Sequence, residues 1–169
     1  MFANFFSKLK GGGQAPPTHF NFALLKSGLG AFLAIMFVGW LAQVTEQPMI
    51  LGSLGASCVM LFGFPDLPFS QPRSVLGGHL ITAAIGLVCL NIFGPSLWAM
   101  ALALALSLIA LAASGLVHPP AGSNPIIIFL AQPGWGFLLF PTFAGVVVIL
   151  LIAIIYNNLT RQFAYPKYW

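Results

Sequence analysis

Apolar runs alternate with short polar or proline-rich breaks along almost the whole chain. Run length is the main signal, because a helix rises about 1.5 Å per residue and the hydrocarbon core of a bilayer is about 30 Å thick. Four runs are long enough to cross it and two are short. We therefore predict an all-α polytopic membrane protein with four long transmembrane helices and two short or half-length membrane helices. The long runs are 27–44, 74–93, 97–117 and 135–156 or 137–156, and the short runs are 49–64 and 126–131.

The order of the runs, long–short–long and then long–short–long, predicts an internal repeat of three plus three segments. Its halves would be residues 26–94 and 95–160, within a single transmembrane domain over residues 26–169. Residues 1–25 contain three consecutive glycines and two prolines and are predicted to be a flexible N-terminal lead-in. The short segments either cross the membrane, which gives halves of inverted topology, or dip in and return. We favour the crossing arrangement.

Composition narrows the class of protein further. Charged residues make up 5% of the chain, hydrophobic residues make up 59%, and no charged residue lies between Arg73 and Arg161. A soluble surface carries about a quarter to a third charged residues. A soluble enzyme, a nucleic-acid-binding protein and a disordered tail are therefore excluded. Cys58 and Cys89 both lie in apolar runs away from any Cys or His grouping, so we expect no disulfide, metal or cofactor.

The few cations flank the membrane block and predict its orientation. Lys8, Lys10 and Lys26 precede the first long run, and Arg161 and Lys167 follow the last. Because cytoplasmic flanks are enriched in Lys and Arg, both termini are predicted to be cytoplasmic and the number of crossings even. The aromatic and basic C-terminal tail is predicted to be an interfacial anchor.

The interruption at residues 118–125 contains three prolines, a glycine, a serine and an asparagine. Lipid cannot solvate irregular backbone, so at membrane depth this segment must be buried against protein or line a cavity. Its first two prolines suit the opening turn of a helix, and a helix N-terminus attracts anions through free N–H groups and its dipole. The alternative is a plain loop outside the membrane. The candidate groups are His118, free N–H groups at Ala121 and Gly122, and the side chains of Ser123 and Asn124.

A similar segment of small residues opens the first short run, after Pro48. Ser53 is a suitable N-cap there, and Gly55, Ala56 and Ser57 follow it. Two short helices could thus point their positive ends at one central site. The alternative is that these small residues only allow neighbouring helices to pack closely.

Two more polar residues lie at the second long run. His79 is an ionisable group within an apolar helix, and such groups in membranes often mark functional sites. A lone histidine can also be no more than a hydrogen-bonded core residue. Arg73, at the mouth of the same helix, is either an interfacial anchor or an attractor for anions, and Asp66 could simply pair with it.

Residues 117–122, Val-His-Pro-Pro-Ala-Gly, resemble the signature of the HPP family of integral membrane proteins, which is named for this tripeptide. The resemblance extends over about 26–169 through further motifs in order, and the set is more specific than the tripeptide alone. It departs at residues 123–125, Ser-Asn-Pro, where a proline interrupts the expected helix. The further motifs are Gly52 to Ser57, Gln71-Pro72-Arg73, Gly77-Gly78-His79, Asn157-Asn158 and Tyr165 to Trp169.

The resemblance implies a small multi-helix membrane protein. Relatives in plant plastids and cyanobacteria are associated with nitrite transport. Because the sequence shows no plastid leader, a bacterial inner membrane is the expected location.

We therefore predict a membrane transporter or channel for a small inorganic anion, with nitrite as the leading candidate, that works as a homo-oligomer in the lipid bilayer. The alternative is a non-transporting structural or regulatory membrane subunit. An enzyme is not expected, since no carboxylate pair, metal cluster or Ser/His/Asp set is visible. The predicted substrate-binding residues, around the starts of the two short helices, are Gly55, Ala56, Ser57, Arg73, His79, His118, Ala121, Gly122, Ser123 and Asn124.

Overall fold

A computed structural model describes residues 2–9, 11–15, 17 and 20–169. Met1, Lys10, Pro16, Thr18 and His19 lie outside these ranges, so the prediction that Lys10 flanks the membrane block concerns a residue outside the described part of the chain. The described chain is all-helical, and its lead-in contains a helix, α1, that the sequence did not predict. The α-helices are α1 Phe2–Leu9, α2 Phe22–Thr45, α3 Gly52–Cys58, α4 Pro72–Phe93, α5 Leu97–Ser114, α6 Asn124–Ala131 and α7 Ala144–Thr160.

The predicted set of four long and two short membrane helices is confirmed. A π turn, Val59–Gly63, extends α3, and the resulting apolar helix is too short to count among the full spans. The eight residues of α6 form the second short helix. The stretches long and apolar enough to cross a membrane are Phe22–Thr45, Pro72–Phe93, Leu97–Ser114 and Trp135–Thr160.

The sequence predicted one regular helix for the last span, but the structure shows a broken one. A 3₁₀ turn, Trp135–Leu138, and a π turn, Leu139–Phe143, precede α7. Phe140 has the non-helical angles φ −128° and ψ 122°, and Pro141 after it has no N–H to donate to a helical carbonyl. The helix is therefore broken near the end where the chain re-enters the bundle.

The start of α3 also differs from the prediction. Its N-cap is Leu51, in an extended conformation (φ −126°, ψ 146°). Ser53 lies inside the helix, and its buried hydroxyl has no hydrogen-bond partner among the described atoms. The prediction that Ser53 caps the helix is therefore wrong. Asn21 does cap its helix, since its Oδ1 accepts a hydrogen bond from the Leu24 N–H at 3.1 Å.

The two ends of the membrane block lie side by side. The Tyr156 hydroxyl, near the end of α7, donates to the Lys26 carbonyl near the start of α2 at 2.8 Å. We call this end of the bundle the tail end, and the opposite end, where the turn at residues 94–96 joins α4 to α5, the hairpin end. Asn157 Nδ2 donates to the Leu61 carbonyl at 3.0 Å, so the π turn after α3 also reaches the tail end. The first short segment therefore carries the chain from the hairpin end to the tail end.

The second short segment runs in the opposite direction. Asn124, at the start of α6, contacts His79 in the first third of α4. Phe129, near the end of α6, packs beside Cys89 and Ala99 near the hairpin end. From the start of α2 to the end of α7 the chain therefore passes through the bundle six times. This is the crossing arrangement that the sequence favoured.

Close packing holds the interior together, because lipid tails are as apolar as leucine and give no hydrophobic force between helices. Leu54, Leu87 and Ile149 are completely buried. A Cβ at Gly145, on α7, would lie 2.7 Å from Leu54 Cδ1 and 3.1 Å from the Met49 carbonyl oxygen. Only a glycine at this position lets the Met49 backbone and the Leu54 side chain approach α7 so closely. Gly145 therefore sets the spacing between α7 and the first short segment.

The C-terminal tail crosses the loop at residues 64–71. Tyr165, which is 2% exposed, donates its hydroxyl to the Ser70 carbonyl at 2.7 Å. Burial raises the pKa of the Tyr165 phenol, which keeps it in the protonated, donating form. The Lys167 N–H donates to Gln71 Oε1 at 2.8 Å. The tail thus closes the tail end of the bundle over the loop before α4.

We expect replacement of Asp66 with Asn to destabilise the docked tail by at most about 1 kcal/mol, because the ion pairs are exposed. Asp66 accepts a hydrogen bond from Arg161 and lies 3.3 Å from Lys167 Nζ. Partial burial raises the pKa of the Asp66 carboxyl, but hydrogen bonds and charges of these two cations outweigh it, so the pKa is below its ordinary value. The contribution is therefore present at neutral pH and is lost as the pH falls through that lowered pKa.

The measurement is the free energy of unfolding in detergent at low and at high salt. Glu46→Gln, which removes an exposed carboxylate at the hairpin end, is the matched control and should change nothing at either salt concentration. A loss clearly larger than about 1 kcal/mol, or one that is the same at high salt as at low salt, would contradict the prediction.

Candidate functional site

Four of the predicted binding residues meet in one buried cluster. They are Ser57 on α3, His79 on α4, His118 after α5 and Asn124 at the start of α6. Each is 0% exposed. The first two belong to the first predicted half of the chain and the last two to the second. The first short helix, α3, packs against the turn that opens the second short segment. Ser57 lies in the last turn of α3 and not at its start, so the prediction that the starts of both short helices face one site is wrong.

Ser57 is the centre of this polar cluster. Its Oγ lies 2.9 Å from His79 Nε2 and 2.8 Å from His118 Nε2. It also lies 2.9 Å from the carbonyl oxygen of Ser53, one turn earlier on α3. The two imidazole rings are 5.2 Å apart, centre to centre, and inclined at 52°. One hydroxyl therefore bridges two histidines that do not bond each other.

The hydrogen-bond partner of Nδ1 in each histidine shows which ring nitrogen carries the proton. His118 Nδ1 lies 2.6 Å from the Phe69 carbonyl oxygen, which can only accept, so Nδ1 carries a proton. His79 Nδ1 lies 3.1 Å from Asn124 Nδ2, an N–H donor, so this Nδ1 accepts and His79 Nε2 carries the proton. His79 therefore donates to Ser57, and in the neutral cluster the Ser57 hydroxyl donates to the unprotonated Nε2 of His118, with the Ser53 carbonyl as a second acceptor within reach. The hydrogen bonds run in one direction, from Asn124 to Phe69.

The amide orientation of Asn124 is fixed by two further acceptors, which share its two N–H protons with His79 Nδ1. Its Nδ2 lies 3.1 Å from the His79 carbonyl and 3.1 Å from Thr82 Oγ1. Thr82 gives its own hydroxyl proton to the Gly78 carbonyl at 2.9 Å, so its oxygen is free to accept. The Oδ1 atom of Asn124 is buried and has no hydrogen-bond partner among the described residues. A buried acceptor left in this state is costly.

The His-Pro-Pro segment places two of these side chains by a 3₁₀ turn, Pro119–Ser123, directly followed by α6. His118 is the extended N-cap of this turn (φ −136°, ψ 100°). The prediction of a free N–H at Ala121 is wrong, because that N–H donates to the His118 carbonyl at 3.0 Å. Pro125 lies in the first turn of α6 and does not interrupt it. The donors at the site are therefore side chains and not an open helix end.

The other predicted site residues lie outside the cluster. Gly55 and Gly122 each have open space where a Cβ would be, and Ala56 is exposed. Ala121 is buried. Ser123 donates its hydroxyl to the Pro120 carbonyl, within its own turn, at 2.8 Å.

Arg73 is exposed on the first turn of α4, beside an apolar groove of about 270 Å³ that Trp169 also lines. Asp66 does not pair with it, because Arg161 and Lys167 take that carboxylate. A cleft of about 650 Å³ lies at the tail end, between the start of α2 and the end of α7. The residues of the polar cluster do not line this cleft.

Three participants were missed by sequence reasoning. Thr82 lies one turn after His79 on the same helix, a spacing that could have flagged it. Gly78 lies where a Cβ would be 3.0 Å from His118 Cβ and 3.1 Å from the Leu116 carbonyl oxygen, so it allows the histidine to approach α4. The carbonyl of Phe69 has no signal in the sequence, because any residue supplies one.

The cluster carries donors but no formal charge. Its hydrogen-bond partners among the described residues are neutral side chains and carbonyls. No group of three or more His, Cys, Asp or Glu side chains that could hold a metal ion occurs in the part of the chain that the structure describes.

Comparison with known proteins gives a family match over most of the chain. Residues 16–166 match the family described as HPP, transmembrane region. A transmembrane protein of Dictyostelium discoideum is 32% identical over 99% of this chain and 58% of its own length. A second transmembrane protein of the same organism is 33% identical over 73% of this chain and 46% of its own length. The chain thus spans about half the length of these relatives. No solved structure matches it.

Proposed function

This chain belongs to the HPP transmembrane family, and we propose that it moves a small inorganic anion, nitrite first among them, across the membrane as a transporter or channel. One observation carries the proposal. A polar cluster of Ser57, His79, His118 and Asn124 lies fully buried between helices of a membrane protein. Polar groups at such a position are costly, and in membrane proteins they mark pathways for substrates and ions.

The chemistry of the cluster favours an anion over a cation. Asn124, His79 and Ser57 offer N–H and O–H donors, whereas a cation would need carboxylates or several converging carbonyls. Nitrite is a small flat monoanion whose two oxygen atoms can accept from His79 Nε2–H and the Ser57 hydroxyl together. At present His79 Nε2–H donates to Ser57 and the Ser57 hydroxyl donates to His118, so anion binding replaces hydrogen bonds inside the cluster by charge-assisted ones.

The cluster is closed to water in this conformation, since its side chains are 0% exposed. Phe69, whose carbonyl bonds His118, lies in the loop that the C-terminal tail covers. Entry from the tail end therefore requires this loop to move, as in transporters with alternating access.

The first test is nitrite uptake into proteoliposomes, relative to protein-free liposomes. We expect Ser57→Ala to lower protein-dependent uptake about tenfold, because a hydrogen bond to a charged ligand contributes about 1.5–3 kcal/mol. Ser107→Ala is the matched control. Ser107 is also a buried membrane serine, on α5, and its hydroxyl has no hydrogen-bond partner among the described atoms.

Uptake no greater than in protein-free liposomes would contradict transport, and equal uptake by the Ser57 and Ser107 variants would contradict the site. The rival function is a non-transporting structural or regulatory membrane subunit, which the internal hydrogen bonding of the cluster favours. On that reading Ser57→Ala lowers stability, and nitrite does not change the melting temperature of the native chain.

We also propose that the protein is a homo-oligomer in a bacterial inner membrane with both termini in the cytoplasm. Lys26, Arg161 and Lys167 gather at the tail end of the bundle, which supports a cytoplasmic tail end. To check the orientation, a single cysteine is placed at residue 11 or at residue 95 and labelled in intact cells. Cross-linking in membranes checks the oligomer.

A further inference from the structure

We propose that the cluster binds one proton together with the anion, at His118 Nε2, so that the protein carries the two as an electroneutral pair. The inference rests on the proposed anion function and adds the proton as a co-substrate. It comes from the direction of the hydrogen bonds and from the three neighbours of the Ser57 hydroxyl.

His118 is the histidine that can accept a proton without rearrangement. Its Nδ1–H is already engaged with the Phe69 carbonyl at 2.6 Å, and its Nε2 lone pair faces only the rotatable Ser57 hydroxyl at 2.8 Å. In His79 the free lone pair is on Nδ1 and faces the Asn124 amide. A proton there would place two donors head to head, and the amide cannot turn without losing its bonds to the His79 carbonyl and Thr82.

Ser57 can follow the protonation of His118 without moving any heavy atom. When Nε2 is unprotonated, the hydroxyl proton points at it. When Nε2 gains a proton, the hydroxyl proton turns to the Ser53 carbonyl, which already lies at 2.9 Å. The serine oxygen then accepts from both His79 Nε2–H and His118 Nε2–H with its two lone pairs. As long as no anion is bound, the hydrogen bonds among Ser57, His79 and His118 are therefore kept in both protonation states of His118.

The proton is simply transferred, and no electron changes hands. A hydronium ion breaks one O–H bond as His118 Nε2 forms one N–H bond, and a water molecule is left. On release at the other side of the membrane the N–H bond breaks and water takes the proton back.

The surroundings then couple the proton to the anion. Among the described residues, the titratable group that faces His118 is His79 on α4. Cys58, on α3, belongs to the apolar core, and the charges of Asp66, Arg73, Arg161 and Lys167 lie at the tail end. A lone buried imidazolium is strongly unfavourable, whereas one beside an anion is not. Because coupling between two ligands is reciprocal, each ligand favours the binding of the other.

Nitrogen NMR of histidine-labelled protein in nanodiscs tests the proton site without any transport. We expect two neutral tautomers at alkaline pH, Nδ1–H on His118 and Nε2–H on His79. At a fixed mildly acidic pH, added nitrite should raise the fraction of doubly protonated His118 at least about fivefold, the low end of typical coupling. The protein carries His19→Gln to remove the third histidine of the chain, and a His118→Gln spectrum then assigns the two remaining signals. Identical tautomers for the two histidines, or protonation that nitrite leaves unchanged, would overturn the proposal.

The transport test uses membrane potential, and protein-free liposomes give the baseline for permeation of nitrous acid. For an anion moving alone, a potential of about 100 mV sets an accumulation ratio of about fiftyfold. For a proton–anion pair the potential has no effect, and nitrite instead follows the pH gradient. We expect the second result for the native chain.

The outcomes separate the two proposals. Protein-dependent uptake that follows the potential overturns the proton pairing and leaves the anion function standing. The absence of protein-dependent uptake overturns the anion function, and the NMR titration then decides the proton site by itself. Uptake driven by the pH gradient in native protein and in Ser107→Ala, but not in His118→Gln, supports both.

Discussion

Replacing Asn124 with Asp is expected to lower nitrite uptake about a hundredfold or more. The change is nearly isosteric, but it exchanges the Nδ2 donor for a second acceptor that faces His79 Nδ1 and Thr82 Oγ1, each at 3.1 Å. It also puts a negative charge in the site. Two like charges about 5 Å apart in a medium of effective dielectric constant about 20 repel by about 3 kcal/mol, which is about two powers of ten in affinity.

The control is Asn91→Asp, which places the same charge on an exposed part of α4, where the Asn91 amide donates to the Leu87 carbonyl. We expect near-native uptake from it. Size-exclusion profiles and melting temperatures of both variants separate lost transport from lost folding. A folded Asn124→Asp protein with native uptake would remove Asn124, and with it the start of α6, from the proposed pathway.

Replacing Gly78 with Val should abolish uptake and lower the free energy of unfolding by about 3 kcal/mol, the upper part of the usual range for overpacking. A Cβ there already lies 3.0 Å from His118 Cβ and 3.1 Å from the Leu116 carbonyl oxygen. Valine adds two methyl groups beyond that atom. The segment carrying His118 must therefore move away from α4, which widens the gap between His118 and His79 that Ser57 bridges.

Gly28→Val is the matched control, because Gly28 is an exposed helical glycine of α2 with open space where a Cβ would be. Unfolding in a graded mixture of denaturing and mild detergent gives the free energies, and proteoliposomes give the uptake. Equal stabilities for the Gly78 and Gly28 variants would show that α4 and the His-Pro-Pro segment are not as tightly packed as described here.

The long helices could be predicted because membrane thickness imposes a length that an apolar run either reaches or does not. The break at Phe140 could not, although Pro141 was visible, because membrane helices often accommodate a proline. The crossing of the short segments was favoured on the order of run lengths, and contacts such as that of Asn157 with Leu61 agree with it by showing which end of the bundle each segment reaches.

The candidate site was predicted in part and for a different physical reason than the structure gives. His79 stood out as an ionisable group in an apolar helix, and Ser57, His118 and Asn124 stood out because they lie where the two short segments open. The expected donors were free backbone N–H groups at helix starts, but the 3₁₀ turn closes the Ala121 N–H onto the His118 carbonyl. Turn geometry at this level depends on contacts distant in sequence, which no local pattern contains.

The division of the cluster between the two halves has a consequence for biosynthesis. Ser57 and His79 leave the ribosome well before His118 and Asn124, so the first three segments reach the bilayer with an incomplete polar set. Unpaired polar groups are unfavourable in lipid. The early half is therefore expected to stay beside the insertion machinery until the later half is inserted. The residues proposed to hold the substrate would then also serve as an assembly checkpoint, at which the late half completes the fold of the early one.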